Sequence, residues 1–343
     1  MKYLNRQGDL NETAKIKSIP LIYNWSEKAP KFCFVVPTYK RADLLKHAIQ
    51  SILNQKKLED YEILVVDDCP DRNDDTERMM FSDFNLQNIA YYKHEKNLGQ
   101  PGNWNKCFEL SRTEWVIMLH DDDMLFPDFF CVLRHLQILY GNSVGGFFPA
   151  VQTHSFNDGA LPERERSPVI ECKVIKERDF IQGNVIGTGA LGMTLKREKV
   201  LEMGGVNNHC GPAVDYDFYN RFAKVTDVVK MYGYPLGVWR FLDNVTQKVS
   251  SVLCCVDIGD VLKMDTLEDC GLGWTKPLFK HYIKGFDEQH IRNWYKEMGR
   301  ETYEPGTLRP CSLFDKIVYK AYRIYFAISR KLRKGSKRIA CDQ

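Results

Sequence analysis

The first third of the chain alternates two hydrophobic patterns. Short apolar runs at Phe32–Pro37, Glu62–Asp67, Ile89–Tyr92 and Glu114–Leu119 have the length and continuity of buried strands. Between them lie segments with apolar residues at three- and four-residue steps. Asp43–Asn54 carries Leu44, Leu45, Ala48, Ile49, Ile52 and Leu53 on one side. Thr76–Phe84, Asn103–Ser111 and Phe129–Tyr140 also predict helices, and Gly145–Pro149 a further strand. Continuous apolar strands separated by helices predict an α/β fold, with a mixed, mainly parallel sheet covered on both faces.

Farther on the pattern loosens. Thr153–Lys173 is polar, with the charged run Glu163-Arg164-Glu165-Arg166 and prolines at 162 and 168, and predicts a loop or hairpin excursion. Gly187–Gly192 leads into a strand. A helix over Arg197–Met203 follows, ended by Gly204-Gly205. Val214–Ala223 predicts a helix opened by Asp215 and Asp217, and Val228–Met231 and Leu236–Phe241 predict strands. Past about residue 250 the strand signal fades into helical patterns at Lys276–Lys284, Glu288–Met298 and Leu313–Leu332. The expected organisation is an N-terminal extension (1–30), one α/β domain (31–250) and a helical region (251–343).

Composition narrows the class. The 343 residues are 44% hydrophobic and 27% charged, as in a globular protein. No apolar run approaches the ~18–20 residues of a spanning helix, and the first residues lack the pattern of a signal peptide. The 11 cysteines include no C-x-x-C pair, which predicts reduced thiols in a cytosolic protein without a zinc site. The net charge of +3 conceals an uneven distribution. Residues 313–343 hold nine basic and two acidic groups, so the rest of the chain is slightly acidic. In that tail Ile317, Ala321, Ile324, Tyr325, Ile328 and Leu332 recur at helical steps, broadened by Tyr319, Tyr322 and Phe326. The pattern reads as a basic amphipathic helix on an anionic membrane surface, or as a helix packed on the domain with a basic end. No nucleic-acid-binding motif accompanies it, so nucleic acid is not an expected partner.

Parallel sheets bind ligands outside the carboxyl ends of their strands. Four polar clusters fall there: Thr38-Tyr39-Lys40-Arg41, Asp67-Asp68, Asn97 to Gly102, and His120 to Asp123. Asp121, Asp122 and Asp123 follow the apolar run 115–119, after His120. Carboxylates so close repel one another, and a fold that gathers them can hold a hard cation such as Mg²⁺ or Mn²⁺. A solvated turn with a helix N-cap before Pro127 is the alternative for the triple alone.

Five ordered segments resemble the family 2 glycosyltransferases of GT-A fold: FCFVVPTYKRADLLKHAIQSILNQ, EILVVDDCPD, HEKNLGQPGNWN, VIMLHDDDMLFPD and GGVNNHCGPAVDYDFYNRF. The resemblance covers roughly residues 31–245. It implies a nucleotide-sugar donor, most simply a UDP-sugar, with Pro37, Thr38 and Tyr39 lining the base pocket and Arg41 among the donor-binding residues. Asp67 and Asp68 would contact base or ribose, while Asn97 and Gly99 shape a loop near the nucleotide and Asn105 anchors it. The triple matches the D-x-D element: Asp122 and Asp123 align with its paired acids, and Asp121 faces the ribose or the metal's surroundings. His120 stands where many relatives have the first aspartate. Asp215 is the expected base, with Asp217 second; Val214 replaces the acid that normally precedes it, and the histidine expected after Arg240 is missing. The implied reaction is inverting sugar transfer, with Mn²⁺ or Mg²⁺, to a polyprenyl-linked oligosaccharide or other glycan on the cytoplasmic face of the inner membrane. Two rivals stay open: a non-catalytic nucleotide-sugar-binding scaffold, and a sugar-phosphate nucleotidyltransferase, whose glycine-rich loop after the first strand is missing here.

Overall fold

The structure, a computed structural model, describes residues 7–154, 159–165, 169–187, 189–240, 248–300, 302–331 and 337–340. A short helix α1 (Leu10–Ala14) and strand β1 (Ser18–Tyr23) precede the alternating units. These are β2 (Phe32–Thr38), α2 (Ala42–Leu53), β3 (Tyr61–Asp67), α3 (Asp75–Asp83), β4 (Ile89–His94), α4 (Gly99–Leu110) and β5 (Trp115–Met118). The middle of the chain holds β6 (Met124–Leu125), α5 (Phe129–Tyr140), β7 (Gly146–His154), β8 (Val169–Ile175), β9 (Met193–Lys196), α6 (Arg197–Glu202), α7 (Val214–Val225) and β10 (Val228–Arg240). Three long helices, α8 (Val249–Asp269), α9 (Lys276–Glu297) and α10 (Leu313–Lys331), and a last strand β11 (Lys337–Ala340) complete it.

One mixed sheet runs β1-β4-β3-β2-β5-β9-β7-β10-β8-β11, with β6 pairing off β10. Strands β4, β3, β2 and β5 are mutually parallel, the expected central unit. Each faces protein on both sides, because its residues alternate between two cores. Phe32, Phe34 and Val36 pack with Leu45, Ile49 and Phe130. Cys33 and Val35 pack with Trp104, Phe108 and Phe218 on the other face. Burial on both faces explains why these strands read as unbroken apolar runs.

Several expectations are corrected. Residues 18–23, placed in an extension, form β1, antiparallel to β4 and joined to the sheet. The polar stretch 153–173 is not a simple excursion. Its ends lie in β7 and β8, which flank β10 on opposite sides, while Arg166 and Pro168 lie outside the described residues. The two strands expected after residue 228 are one strand, broken in pattern by an irregular register between Lys230 and Gly237; Phe241 lies outside the described residues. The helices expected at 276–284 and 288–298 are the single helix α9. Its apparent gap is Gly285, where a Cβ would lie 2.6 Å from Cβ of Tyr319, so the missing side chain lets α10 approach. Helix α4 starts at Gly99, inside the expected loop.

The tail packs differently from either simple reading. Val318, Tyr319, Tyr322 and Phe326 of α10 join Phe279 and Tyr282 of α9 in one aromatic cluster. A second stripe, Leu313, Phe314, Ile317, Ile324, Tyr325 and Ile328, is exposed at 53–75%. Residues 332–336, with Leu332, Arg333 and Lys334, lie outside the described residues. The chain then returns as β11, antiparallel to β8, so it rejoins the sheet beyond the C-terminal end of the helix. Among the described residues no helix is long and apolar enough to cross a membrane, and none of the ten described cysteines is in a disulfide.

Candidate functional site

The carboxyl ends of β2, β3 and β5 carry the polar residues. Thr38, the last residue of β2, donates from Oγ1 to Oδ2 of Asp121 at 2.8 Å. Arg41, just before α2, reaches Asp122 Oδ2 at 2.8 Å and Asp121 Oδ1 at 3.5 Å. Asn103 of α4 ties the strand ends together: its Nδ2 donates to the carbonyls of Thr38 (3.3 Å) and Val66 (3.1 Å). Its Oδ1 faces His94 Nε2 at 3.1 Å. Pro37 lies in β2 above the core, and Tyr39 projects outward beside Lys40.

Asp67 and Asp68 take different roles. Asp67 is turned inward, its Oδ2 accepting from the Tyr91 hydroxyl at 2.7 Å and Lys93 Nζ at 2.9 Å, its Oδ1 from the Cys69 N–H. In this fold that carboxylate is engaged by Tyr91, Lys93 and the Cys69 N–H. Asp68 accepts from the backbone N–H groups of Leu98 (2.6 Å) and Gly99 (2.9 Å). It pins the loop at Asn97, which in turn caps Gly99 through Oδ1 at 3.1 Å. Burial pushes the Asp68 carboxyl up to about 6, against those two N–H donors. Asn105 does not reach this loop. Its amide pairs both ways with the backbone of Val206, at 2.7 and 3.0 Å, so it fastens α4 to the turn after α6.

The aspartate triple is held by an arginine the sequence reading left without a role. Strand β6 pairs Leu125 and Met124 with Gly237 and Val238 of β10, which carries Arg240 to the triple. The Arg240 side chain is buried, donating from Nε to the Asp122 carbonyl at 2.5 Å and from Nη2 to the Asp121 carbonyl at 3.3 Å. Its backbone N–H reaches Asp123 Oδ1 at 3.3 Å. Burial and the neighbouring Asp122 charge push Asp121 up to about 6 and hold Asp123 well above the usual carboxylate range. Gathering three acids this way costs stability unless positive charge is supplied. Arg41 and Arg240 supply part of it.

The donor set fits a divalent cation. His120, Asp122 and Asp123 bring one potential ligand atom each within 4.8 Å of one another. The buried Nε2 of His120 has no hydrogen-bond partner. Asp121 stands outside that set, engaged by Thr38 and Arg41.

Asp215 opens α7, half-buried, with Oδ1 accepting the Tyr216 N–H at 2.7 Å. Burial raises its carboxyl to about 6. Burial, and after it the nearby Asp215 charge, raises Tyr219 and Cys255 of α8. Asp215 makes no hydrogen bond or ion pair with the triple. Asp217, the second candidate, is fully buried and bonds Arg221 Nε at 2.7 Å, as its i,i+4 spacing predicts. Arg221 continues to the carbonyl of Gly205 at 2.8 Å. Asp217 therefore holds α7 to the preceding turn through Arg221.

Asn103, Trp104 and Arg240 are the site residues that sequence reasoning missed. Asn103 lies in a helix of mixed polarity, so no pattern set it apart; Arg240 had drawn notice only for the histidine missing after it.

Residues 33–202 match the family described as Glycosyl transferase family 2. An uncharacterized glycosyltransferase of Haemophilus influenzae is 25% identical over 185 residues, 54% of this chain and 59% of that protein. The GalNAc(5)-diNAcBac-PP-undecaprenol beta-1,3-glucosyltransferase of Campylobacter jejuni is 39% identical over 101 residues, 28% of this chain and 31% of that protein. The chain thus spans less than two thirds of the length of the relatives it matches. Among solved structures, TarS of S. aureus overlaps with a TM-score of 0.49 at 14% identity, covering 78% of this chain and 50% of that one.

Proposed function

The chain belongs to glycosyltransferase family 2, with the GT-A fold, and on that premise we propose that it moves a sugar, with inversion, from a UDP-sugar to a hydroxyl of a lipid-linked surface glycan. The observation that carries the reading is the convergence of Thr38, Arg41, the Asp68 loop and the aspartate triple at neighbouring strand ends. Tyr39 and Pro37 border the place for the base, and Arg41 lies within reach of a diphosphate as well as of Asp122.

A bound Mn²⁺ or Mg²⁺ at this site would offset the charge that grows on the departing nucleoside diphosphate. The protein's own residues do the rest. Arg240 fixes the backbone of Asp121 and Asp122 so that the carboxylates need not reorganise during the reaction. Asp215 accepts the proton of the acceptor hydroxyl as its oxygen bonds to the anomeric carbon and the bond to UDP breaks. With its carboxyl near 6, Asp215 is ionised at neutral pH and still basic enough for that transfer.

The acceptor class rests on kinship. The Campylobacter relative's name specifies a PP-undecaprenol glycan, and the exposed apolar stripe of α10 beside Lys316, Lys320 and Arg323 suits the surface of an anionic membrane. The protein would then work peripherally on the cytoplasmic face.

Incubation with Mn²⁺, a polyprenyl-linked acceptor and a panel of UDP-sugars, with UDP release measured, tests the reading. Acceptor-dependent release from one donor is expected. UDP binding without turnover of any donor would favour the scaffold reading, which Val214 motivates.

A further inference from the structure

His120 is the one residue of the aspartate cluster that offers nitrogen. Its side chain is 20% exposed, with Nδ1 3.7 Å from Oδ2 of Asp123. That gap is too long for a hydrogen bond. It does fall within the span open to two ligands of one ion, which with bonds of about 2.1 Å lie roughly 3 Å apart when adjacent and about 4.2 Å apart when opposite. The other ring nitrogen, Nε2, is buried without a partner. Trp104, only 1% exposed, lies against the ring with centroids 5.2 Å apart and planes at 36°, which fixes its orientation. The Trp104 indole Nε1 is likewise buried with no partner, a second orphaned polar atom beside the cluster.

The other contacts of the cluster leave this side open. Arg41 takes Asp122 Oδ2, and the Arg240 N–H takes Asp123 Oδ1. The Asp123 oxygen facing His120 is the other one, Oδ2. Asp121 is drawn to Thr38.

We propose that His120 is a direct ligand of the divalent cation, completing a His120–Asp122–Asp123 set, and that this nitrogen biases the site toward a transition ion over Mg²⁺. Mg²⁺ takes oxygen ligands almost exclusively, whereas imidazole suits transition metals, for which affinity also rises along the first row from Mn²⁺. The proposal rests on the reading of this cluster as a cation site. Trp104 then serves to position the imidazole through the contact of the two rings.

Electron spin-echo spectroscopy of Mn²⁺ titrated into the wild-type protein with UDP tests it directly. A ¹⁴N modulation from a bound imidazole is expected, lost in His120→Ala and His120→Asn. Each variant should bind Mn²⁺ at least about tenfold more weakly, and Mg²⁺ should displace Mn²⁺ from the wild type only in large excess. Tight Mn²⁺ binding without ¹⁴N modulation overturns the role of His120 and leaves the cation site standing. No Mn²⁺ binding with UDP present overturns both. Because the wild-type spectrum decides, a variant that fails to fold does not blunt the test.

Discussion

At the scale of single residues, the site separates acids that hold the fold from acids available for chemistry. Asp67 and Asp217 are buried with cationic partners at hydrogen-bond distance. Asp215 accepts a hydrogen bond from the backbone N–H of Tyr216 and has no cationic partner among the described residues, and burial raises its carboxyl to about 6. A base must be ionised to act, so turnover should rise with pH through about 6 and level off above it. Asp215→Asn should lower kcat by about 10²–10⁴-fold, the usual share of a general base, and flatten that limb while UDP affinity changes less than twofold. A full acid limb in the Asn variant would assign it to another group, Asp121 first, whose carboxyl is raised to a similar value. Sequence reasoning put Asp215 and Asp217 forward together because both sit in the first turn of one helix. The i,i+4 spacing already pointed to the Arg221 contact of Asp217, but the depth of burial that separates the two acids is not written in local sequence.

At the scale of elements, α10 shows how one periodic pattern can serve two surfaces. The aliphatic and aromatic positions both recur at helical steps and merge into one broad apolar side when read from sequence. In the fold the aromatic face is spent on α9, and the aliphatic stripe stays exposed next to the basic residues. The two can be tested apart. Phe326→Ala removes a buried ring and should cost about 3–5 kcal/mol of stability. Ile317→Ser, Ile324→Ser and Ile328→Ser together should leave the melting temperature within a few degrees. The same triple should reduce co-sedimentation with anionic vesicles at least tenfold, since each isoleucine contributes up to about 1.5–3 kcal/mol on burial. Undiminished vesicle binding by the triple variant would show that the stripe faces something other than lipid.

At the scale of the whole molecule, the central parallel strands were legible because burial on both faces writes them as unbroken apolar runs. Strands β8 and β11 were not. The first alternates in burial within a polar stretch, and the second follows a basic segment whose pairing partner lies far away in sequence. The candidate site was legible where motif residues occupy strand ends, as at Thr38 and Asp121–Asp123. It was hidden where a distant strand contributes, as with Arg240, which reaches the triple only through the pairing of β10 with β6. The central claim, that the cluster couples a divalent cation to a nucleoside diphosphate, is tested most directly by calorimetric titration of UDP with and without Mn²⁺. In the wild type Mn²⁺ should tighten UDP binding by at least about tenfold, or 1.4 kcal/mol. In Asp122→Asn/Asp123→Asn the effect of Mn²⁺ should vanish while weak, metal-free binding persists. Equal UDP affinity with and without Mn²⁺ in the wild type, or no UDP binding at all, would contradict the account.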